Sequence, residues 1–220
     1  MSGPRSQVLG AIRAALGGGD RAEARRTAEA RITAHARNIV PARTAVPAAD
    51  LAGLFLSMAS EVAATVERVA DLESVPGAVA AYLASLNLPA EARVAPDVAG
   101  LPWESRTALT ISAGPARDGD AVSVTGAFAG VAETGTLMLT SGPGHPTTLN
   151  FLPDTHIVVL PRSRIVAAYE DGWDRLRAEG VLPRTVNFVT GPSRTGDIEQ
   201  TIQLGAHGPR RLHILLVEGA

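Results

Sequence analysis

Four consecutive large aliphatic residues, Ile157-Val158-Val159-Leu160, give the clearest indication of the fold. An uninterrupted apolar run of this length is typical of a strand buried on both faces of a parallel sheet. Residues 163–179 follow with helical periodicity, and residues 186–190 and 212–217 are two further buried-strand candidates. This alternation of strands and helices predicts an α/β fold in which helices cover both faces of a mostly parallel sheet.

The pattern continues toward the N-terminus and ends in a helical arm. The first 45 residues are predicted to form this arm, and residues 46–220 the α/β domain. Because the apolar residues of segment 20–38 are mostly alanine, the arm should pack weakly, and it can instead cover a neighbouring subunit in a homo-oligomer. The remaining predicted strands are residues 65–70, 93–95, 107–111, 121–125 and 136–140, and the remaining predicted helices are residues 51–58 and 76–86.

Composition excludes several classes of function. A net charge of −2 argues against a general nucleic-acid binder, which needs a strongly basic face. All 20 basic residues are arginine, so neither Schiff-base chemistry nor a P-loop lysine is available. A bound anion must therefore be held by arginine, hydroxyl groups or backbone N–H groups.

Cysteine is absent, which excludes a disulfide, a thiolate nucleophile and an iron–sulfur cluster held by this chain. We therefore expect no cofactor on this chain, but a small anionic ligand of unknown identity. No histidine pair with a carboxylate has zinc-site spacing, so no metal site is predicted. Neither a signal sequence nor a membrane span is recognisable, which predicts a cytoplasmic protein.

Ligands of open parallel sheets collect beyond the carboxyl ends of the strands, and three loops are expected to meet there. The first is residues 132–136, directly before a predicted strand. Gly135 lets the backbone approach a ligand, the hydroxyls of Thr134 and Thr136 can donate to an anion, and Glu133 can act as a base or nucleophile. The alternative is a tight turn with a solvated glutamate.

The second loop is residues 190–199, which follows a predicted strand and opens a helix predicted to begin near Thr195. A Gly-rich turn between a strand and a helix can cradle phosphate or carboxylate with hydroxyls and N–H groups. The carboxylate of Asp197 would repel a dianion unless a cation or an arginine lies between them, and an ordinary helix N-cap is the alternative. The residues predicted to bind the ligand here are Gly191, Ser193, Arg194, Thr195 and Asp197.

The third loop is residues 205–209, before the last strand. His207 lies there between glycine and proline and can serve as acid, base or ligand, unless it merely bonds a backbone carbonyl. His145 is expected at the surface or on a lid-like loop. A structural role is favoured for His156, with its ring paired to Asp154 or to a carbonyl.

In order and spacing, four strings within residues 121–217 resemble the LUD-domain family of the lactate-utilisation protein C type. The strings are residues 132–137, 152–159, 191–199 and 205–209. The resemblance implies a three-layer α/β/α fold like those of ribose-5-phosphate isomerase and the CoA-transferases. It also implies a role in oxidising L-lactate to pyruvate beside iron–sulfur partner proteins, a division of labour that the absence of cysteine fits.

Three functional hypotheses follow. The leading one is a non-redox component of an L-lactate utilisation system that binds a small carboxylate or phosphate-bearing ligand between loops 133–136 and 191–195. The second is an acyl- or nucleotide-dependent transferase or ligase in which Glu133 is the nucleophile. The third is a regulatory module whose loops bind a signal metabolite. Glu133 and His207 are the catalytic candidates, and the sequence leaves open whether the chain is an enzyme.

Overall fold

The computed structural model describes residues 3–17, 20–105, 108–195 and 203–220, without the side chains of residues 203 and 204. It divides into two compact units, Met1–Ile39 and Val40–Ala220. The predicted division into an arm of residues 1–45 and a domain of residues 46–220 stays a prediction.

The first unit contains two helices, α1 (Pro4–Ala15) and α2 (Arg21–Ala34). The Asp20 carboxylate caps α2 by accepting a hydrogen bond from the Ala22 N–H at 2.8 Å. His35 ends the helix in a left-handed conformation with φ of 43°. Neither helix has a buried residue, so the helical pattern of the sequence is confirmed without a core of its own.

The second unit is built on a six-stranded sheet in which all neighbouring strands are parallel. The strand order is β1-β12-β7-β4-β2-β3. The adjacent inner strands β7 and β12 align Val159 with Leu215 and are buried on both faces, as the apolar run predicts. The six strands are β1 (Thr65–Val69), β2 (Glu91–Val94), β3 (Thr110–Ala113), β4 (Val122–Gly126), β7 (Thr155–Pro161) and β12 (Arg211–Val217).

Two separate cores cover the faces of this sheet. On one face, α4 (Val75–Ser85) packs Val79 and Leu83 against strand residues such as Ile157 and Leu215. On the other face, α3 (Leu51–Glu61) contributes Phe55 to a core with Val158 and Ile214. Neighbouring residues of β7 and β12 thus point into opposite cores, which confirms the α/β architecture with helices on both faces.

A second, four-stranded sheet was not predicted. It has the order β8-β5-β6-β9 and consists of β5 (Ala129–Val131), β6 (Thr136–Thr140), β8 (Ile165–Val166) and β9 (Val186–Val189). β6 runs antiparallel to both β5 and β9. The turn of residues 132–135 is too short for the crossover that parallel strands require, so β5 and β6 form a hairpin. β9 is partly exposed, which corrects the expectation of a buried strand.

Two helix predictions also need correction. The helix predicted over residues 163–179 is α5 (Tyr169–Ala178), because the β-branched pair Ile165-Val166 joins the second sheet instead. The helix predicted near Thr195 is wrong at its start: β10 (Arg194–Thr195) pairs antiparallel with β11 (Gln203–Leu204). Within the described ranges, no helix is long and apolar enough to cross a membrane.

Candidate functional site

A cleft of ≈ 260 Å³ lies at the amino ends of β7 and β12. His156 and Leu212, each the second residue of its strand, lie on its wall. This location corrects the expectation of a site at the carboxyl ends of the sheet, because a loop that precedes a parallel strand lies at its amino end. Among the described residues, the lining consists of Asn150, Phe151, His156, Phe188, Val189, Gly191, Pro192, Ser193, Arg194, His207, Gly208, Pro209 and Leu212.

His156 is fully buried on the inner wall of this cleft. Its Nε2 lies 2.8 Å from the Thr125 hydroxyl, and its Nδ1 has no hydrogen-bond partner in the described part of the chain. Burial, and secondarily the charge of His145, lower the pKa of His156 to about 3. The ring is therefore neutral near pH 7 and presents either an N–H or a lone pair at Nδ1. The predicted pairing with Asp154 or a carbonyl is replaced by this contact with Thr125.

Asn150 adds a second buried polar group to the wall. Its Oδ1 lies 3.0 Å from His145 Nε2, while its Nδ2 has no hydrogen-bond partner among the residues described. His145 Nδ1 in turn lies 3.2 Å from Asp97 Oδ2. His145 is thus buried and oriented between a carboxylate and an amide, which corrects its prediction as a surface or lid residue.

Two of the predicted loops meet at Ser193. The Ser193 N–H donates to the Pro209 carbonyl at 2.8 Å, and the Gly205 N–H donates to the Ser193 carbonyl at 2.9 Å. The backbone N–H of His207 reaches the Ser193 hydroxyl at 3.4 Å. The structure therefore brings Ser193 and His207 to one cleft, with the His207 side chain exposed at its edge.

Gly191 and Arg194 line the cleft but also contact the end of α3. A Cβ on Gly191 would lie 2.2 Å from the Val62 carbonyl oxygen, and φ is +77°. Arg194 Nη2 donates to that same carbonyl at 2.5 Å. Since the C-terminal end of a helix carries partial negative charge, the guanidinium is already occupied there. Its predicted role as countercharge to a ligand stays a prediction.

The glycine of the first loop approaches a helix instead of a ligand. A Cβ on Gly135 would lie 2.2 Å from the Ala59 backbone nitrogen, so this turn packs directly on α3. The Thr136 hydroxyl is buried within 2.9 Å of three other hydroxyls, those of Thr134, Tyr169 and Thr190. The contact with Thr190 joins the first and second loops, but the hydroxyl that was expected to face an anion points into the protein.

Glu133 does not belong to the described lining of the cleft that His207 lines. It lies in the turn between β5 and β6, and its N–H donates to the Ala167 carbonyl at 3.0 Å. Residues 133–136 are not part of the described lining of the cleft. Thr195 pairs with Gln203 and does not line the cleft either, while Asp197 lies outside the described residues. The catalytic roles of Glu133 and His207 stay predictions.

Sequence reasoning missed Asn150, Phe151 and Phe188. Asn150 ends a 3₁₀ turn, Thr147–Asn150, and no spacing in the sequence relates it to His156. Phe188 belongs to a strand that was expected to be buried. The two phenylalanines are 41% and 36% exposed, and such exposure of large apolar side chains at a cleft is the signal that could have identified them, given the fold.

Residues 119–217 match the family model described as LUD domain. Over 93 residues, the chain is 40% identical to an uncharacterized protein of Neisseria meningitidis serogroup B, covering 42% of this chain and 40% of that protein. It is 38% identical to lactate utilization protein C of a Geobacillus species over 93 residues, which are 40% of this chain and 38% of that protein. It is also 35% identical to lactate utilization protein C of Shouchella clausii over 91 residues.

These matched segments span about 40% of the length of the curated relatives. A solved structure covers more of the chain: the crystal structure of a DUF162 family protein from Deinococcus radiodurans superposes with a TM-score of 0.61. It is 25% identical and covers 79% of this chain and 99% of that one. Residues 119–217 of this chain are therefore similar to the LUD domain, and the matched segments are similar to lactate utilization protein C.

Proposed function

We propose that this chain is a non-redox component of an L-lactate utilisation system and that it binds a small anionic ligand in the cleft at the amino ends of β7 and β12. The role in lactate utilisation is supported by the relatives named lactate utilization protein C. On this proposal, the chain works in the cytoplasm beside iron–sulfur partner proteins, which carry the electrons that a chain without cysteine does not.

One observation carries the ligand site: Asn150 Nδ2 and His156 Nδ1 are buried without hydrogen-bond partners in the described chain and lie on the wall of the same cleft. A buried polar atom left without a partner costs about 1–3 kcal/mol, so two of them together favour a polar ligand that supplies the missing bonds. The Ser193 hydroxyl lines the same cleft and adds a third group that can donate to an anion.

Two measurements test this proposal. Isothermal titration calorimetry with L-lactate, pyruvate and inorganic phosphate should detect binding of at least one of them, and Ser193→Ala should weaken it. Ser85→Ala is the matched control, because Ser85 is an exposed serine of α4 whose hydroxyl bonds the Tyr82 carbonyl. In a bacterium that lacks its own lactate utilization protein C, expression of this chain should restore growth on lactate.

Absence of growth, with the partner proteins present and this chain expressed, would contradict the role in lactate utilisation. Absence of binding of all three anions would contradict the ligand site as stated. A transferase or ligase that uses Glu133, and a metabolite-sensing module, stay predictions, since Glu133 does not line the described cleft.

A further inference from the structure

The size of the cleft is the first observation about its ligand. At ≈ 260 Å³ it approaches the roughly 300–1,000 Å³ of clefts that hold drug-sized ligands. A three-carbon acid such as lactate would occupy a small part of such a volume. The volume therefore favours a ligand whose polar group is attached to a larger apolar group.

The outer part of the cleft is aromatic. Phe188 packs against Tyr169 and Trp173, with ring centroids 5.3 and 5.5 Å apart, and these contacts hold its ring in place. Phe151 lies beside Gly208, where a Cβ would be 4.0 Å from the Phe151 ring. Both phenylalanines line the cleft, and each is more than a third exposed overall. Exposed aromatic rings that are fixed by their neighbours are suited to contact a ring of a ligand.

The inner part of the cleft is polar but carries little charge. His156 is neutral, and Asn150 contributes an uncharged amide. In the described lining, Arg194 and His207 are both exposed, so neither places a cation on the buried inner wall. Because a buried dianion needs a buried positive charge, this inner wall suits a carboxylate better than a phosphate.

Two successive contacts, from Asp97 to His145 and from His145 to Asn150, hold the amide of Asn150 in position. His145 Nε2 contacts Asn150 Oδ1 at 3.0 Å, which leaves Nδ2, a double N–H donor, buried without a partner among the described residues, and Asn150 lines the cleft. An acceptor oxygen of a ligand is the partner that such a donor requires. Asp97 and His145 are therefore positioning residues in this arrangement, and Asn150 and His156 are the residues that contact the ligand.

We infer that the ligand of this cleft is a ring-bearing monocarboxylate, whose carboxylate contacts Asn150 and His156 and whose ring packs on Phe151 and Phe188. This inference rests on the proposed ligand site and deepens it, since it names the chemical class of the ligand. It also distinguishes this ligand from lactate, which carries a methyl group where this ligand carries a ring.

Calorimetry with two matched probe pairs tests this inference on the full chain. L-lactate and L-3-phenyllactate share the same 2-hydroxy carboxylate and differ by a phenyl ring. Phenyllactate and phenyl phosphate both carry a phenyl ring and differ in the charged group. We expect phenyllactate to bind about tenfold more tightly than either of the other two, a ratio that corresponds to about 1.4 kcal/mol.

Two variants test which residue contacts the ring of the ligand and which contacts its carboxylate. Phe151→Ala changes a largely exposed side chain and should reduce the affinity for phenyllactate about fivefold, with no change for L-lactate. Asn150→Asp keeps the size of the side chain but replaces the donor by an acceptor, so it should weaken phenyllactate at least about tenfold. An unchanged melting temperature in each variant confirms that the fold is intact.

Each other outcome has a distinct meaning. Equal affinities for L-lactate and phenyllactate would overturn the inference about the ring and leave the proposed anion site standing. Tighter binding of phenyl phosphate than of phenyllactate would overturn the inference about the carboxylate. Failure of all probes to bind a folded wild-type chain would overturn this inference and the proposed ligand site together, while restored growth on lactate would still support the role in lactate utilisation.

Discussion

Gly135 and Thr136 have structural roles that differ from the ligand-binding roles that the sequence predicts for them. The Gly-Thr sequence predicts a loop that a ligand can approach closely. In the structure, Gly135 allows the turn between β5 and β6 to lie on the backbone of α3, and Thr136 joins hydroxyls of three neighbouring segments. Gly135 thus fits the second sheet against α3, and Thr136 joins its strand to α5 and to the loop after β9.

Replacing Gly135 by alanine should therefore destabilise the fold. The new Cβ would lie 2.2 Å from the Ala59 nitrogen at a φ of +64°, where both the contact and the backbone conformation are unfavourable. We expect a loss of roughly 2 kcal/mol or more in the free energy of unfolding, measured by urea denaturation. Gly142→Ala is the control, since a Cβ there has open space and φ is not positive. Equal stability of the two variants would show that α3 does not lie against this turn.

Thr136→Val should also destabilise the chain, although it preserves the shape of the side chain. The hydroxyls of Thr134, Tyr169 and Thr190 would each lose a partner within a partly buried network. The expected loss is about 1–2 kcal/mol in the free energy of unfolding. Thr140→Val, on the same strand and partly exposed, should change it by less than about 0.5 kcal/mol. A Thr136→Val variant as stable as the wild type would contradict the network.

At the scale of elements, the segment around Arg194 differs most from its prediction. A glycine-rich turn after a strand is typical of a helix start, yet β10 and β11 pair as the two antiparallel strands of a hairpin. The anchor is the C-terminal end of α3, which receives both the close approach of Gly191 and the guanidinium of Arg194 at the Val62 carbonyl. Local sequence carries no information about this partner, because Val62 is more than a hundred residues away.

Arg194→Met should loosen this hairpin without unfolding the domain. Loss of the bond to Val62 should increase amide hydrogen exchange several-fold at Ser193 and Gly205, whose N–H groups bond Pro209 and Ser193. Global stability should change by less than about 1 kcal/mol, because the arginine is exposed. Arg177→Met removes the same charge from the surface of α5 and should leave both amides unaffected. Unchanged exchange in Arg194→Met would contradict the anchoring role.

At the scale of the whole molecule, the buried histidines link stability to pH. Burial lowers the pKa of His213 to about 4, and that of His156 to about 3 with a smaller contribution from the charge of His145. Both values lie below the ordinary histidine pKa of 6.5. Between pH 6.5 and each lowered pKa, the unfolded chain therefore binds more protons than the folded chain. The part of the free energy of unfolding that depends on neutral His213 and His156 is complete above about pH 6.5. It is lost as the pH falls toward 4 and then 3.

The free energy of unfolding should therefore fall between pH 6 and pH 5 by roughly 1 kcal/mol per buried histidine. His213→Gln should remove about half of this slope in urea denaturation. The carboxyls of Asp120 and Glu218 have lowered pKa values too, but their contribution is lost only below their ordinary values of 3.8 and 4.5. A flat profile down to pH 5 would contradict the neutral burial of these rings.

The sequence by itself determined the layered core and the similarity of residues 119–217 to the LUD domain. Aliphatic runs such as Ile157-Val158-Val159-Leu160 must be covered on both faces, and the strings around residues 132–137 and 191–199 stand in the order of the LUD family. Both properties depend on local composition or on linear order, which can be inferred from the sequence.

The tertiary structure alone decided where the polar groups meet. The sequence predicted that Ser193 and His207 lie together, and both line the cleft. It also grouped Glu133 with them, which is not in the described lining, and omitted Asn150, which is. The end of the sheet at which the cleft lies, the hairpin at Arg194 and the pairing of His145 with Asn150 depend on contacts between distant segments. Short polar loops have no periodic pattern of their own, so packing against α3 and the sheet determines which of their side chains face the cleft.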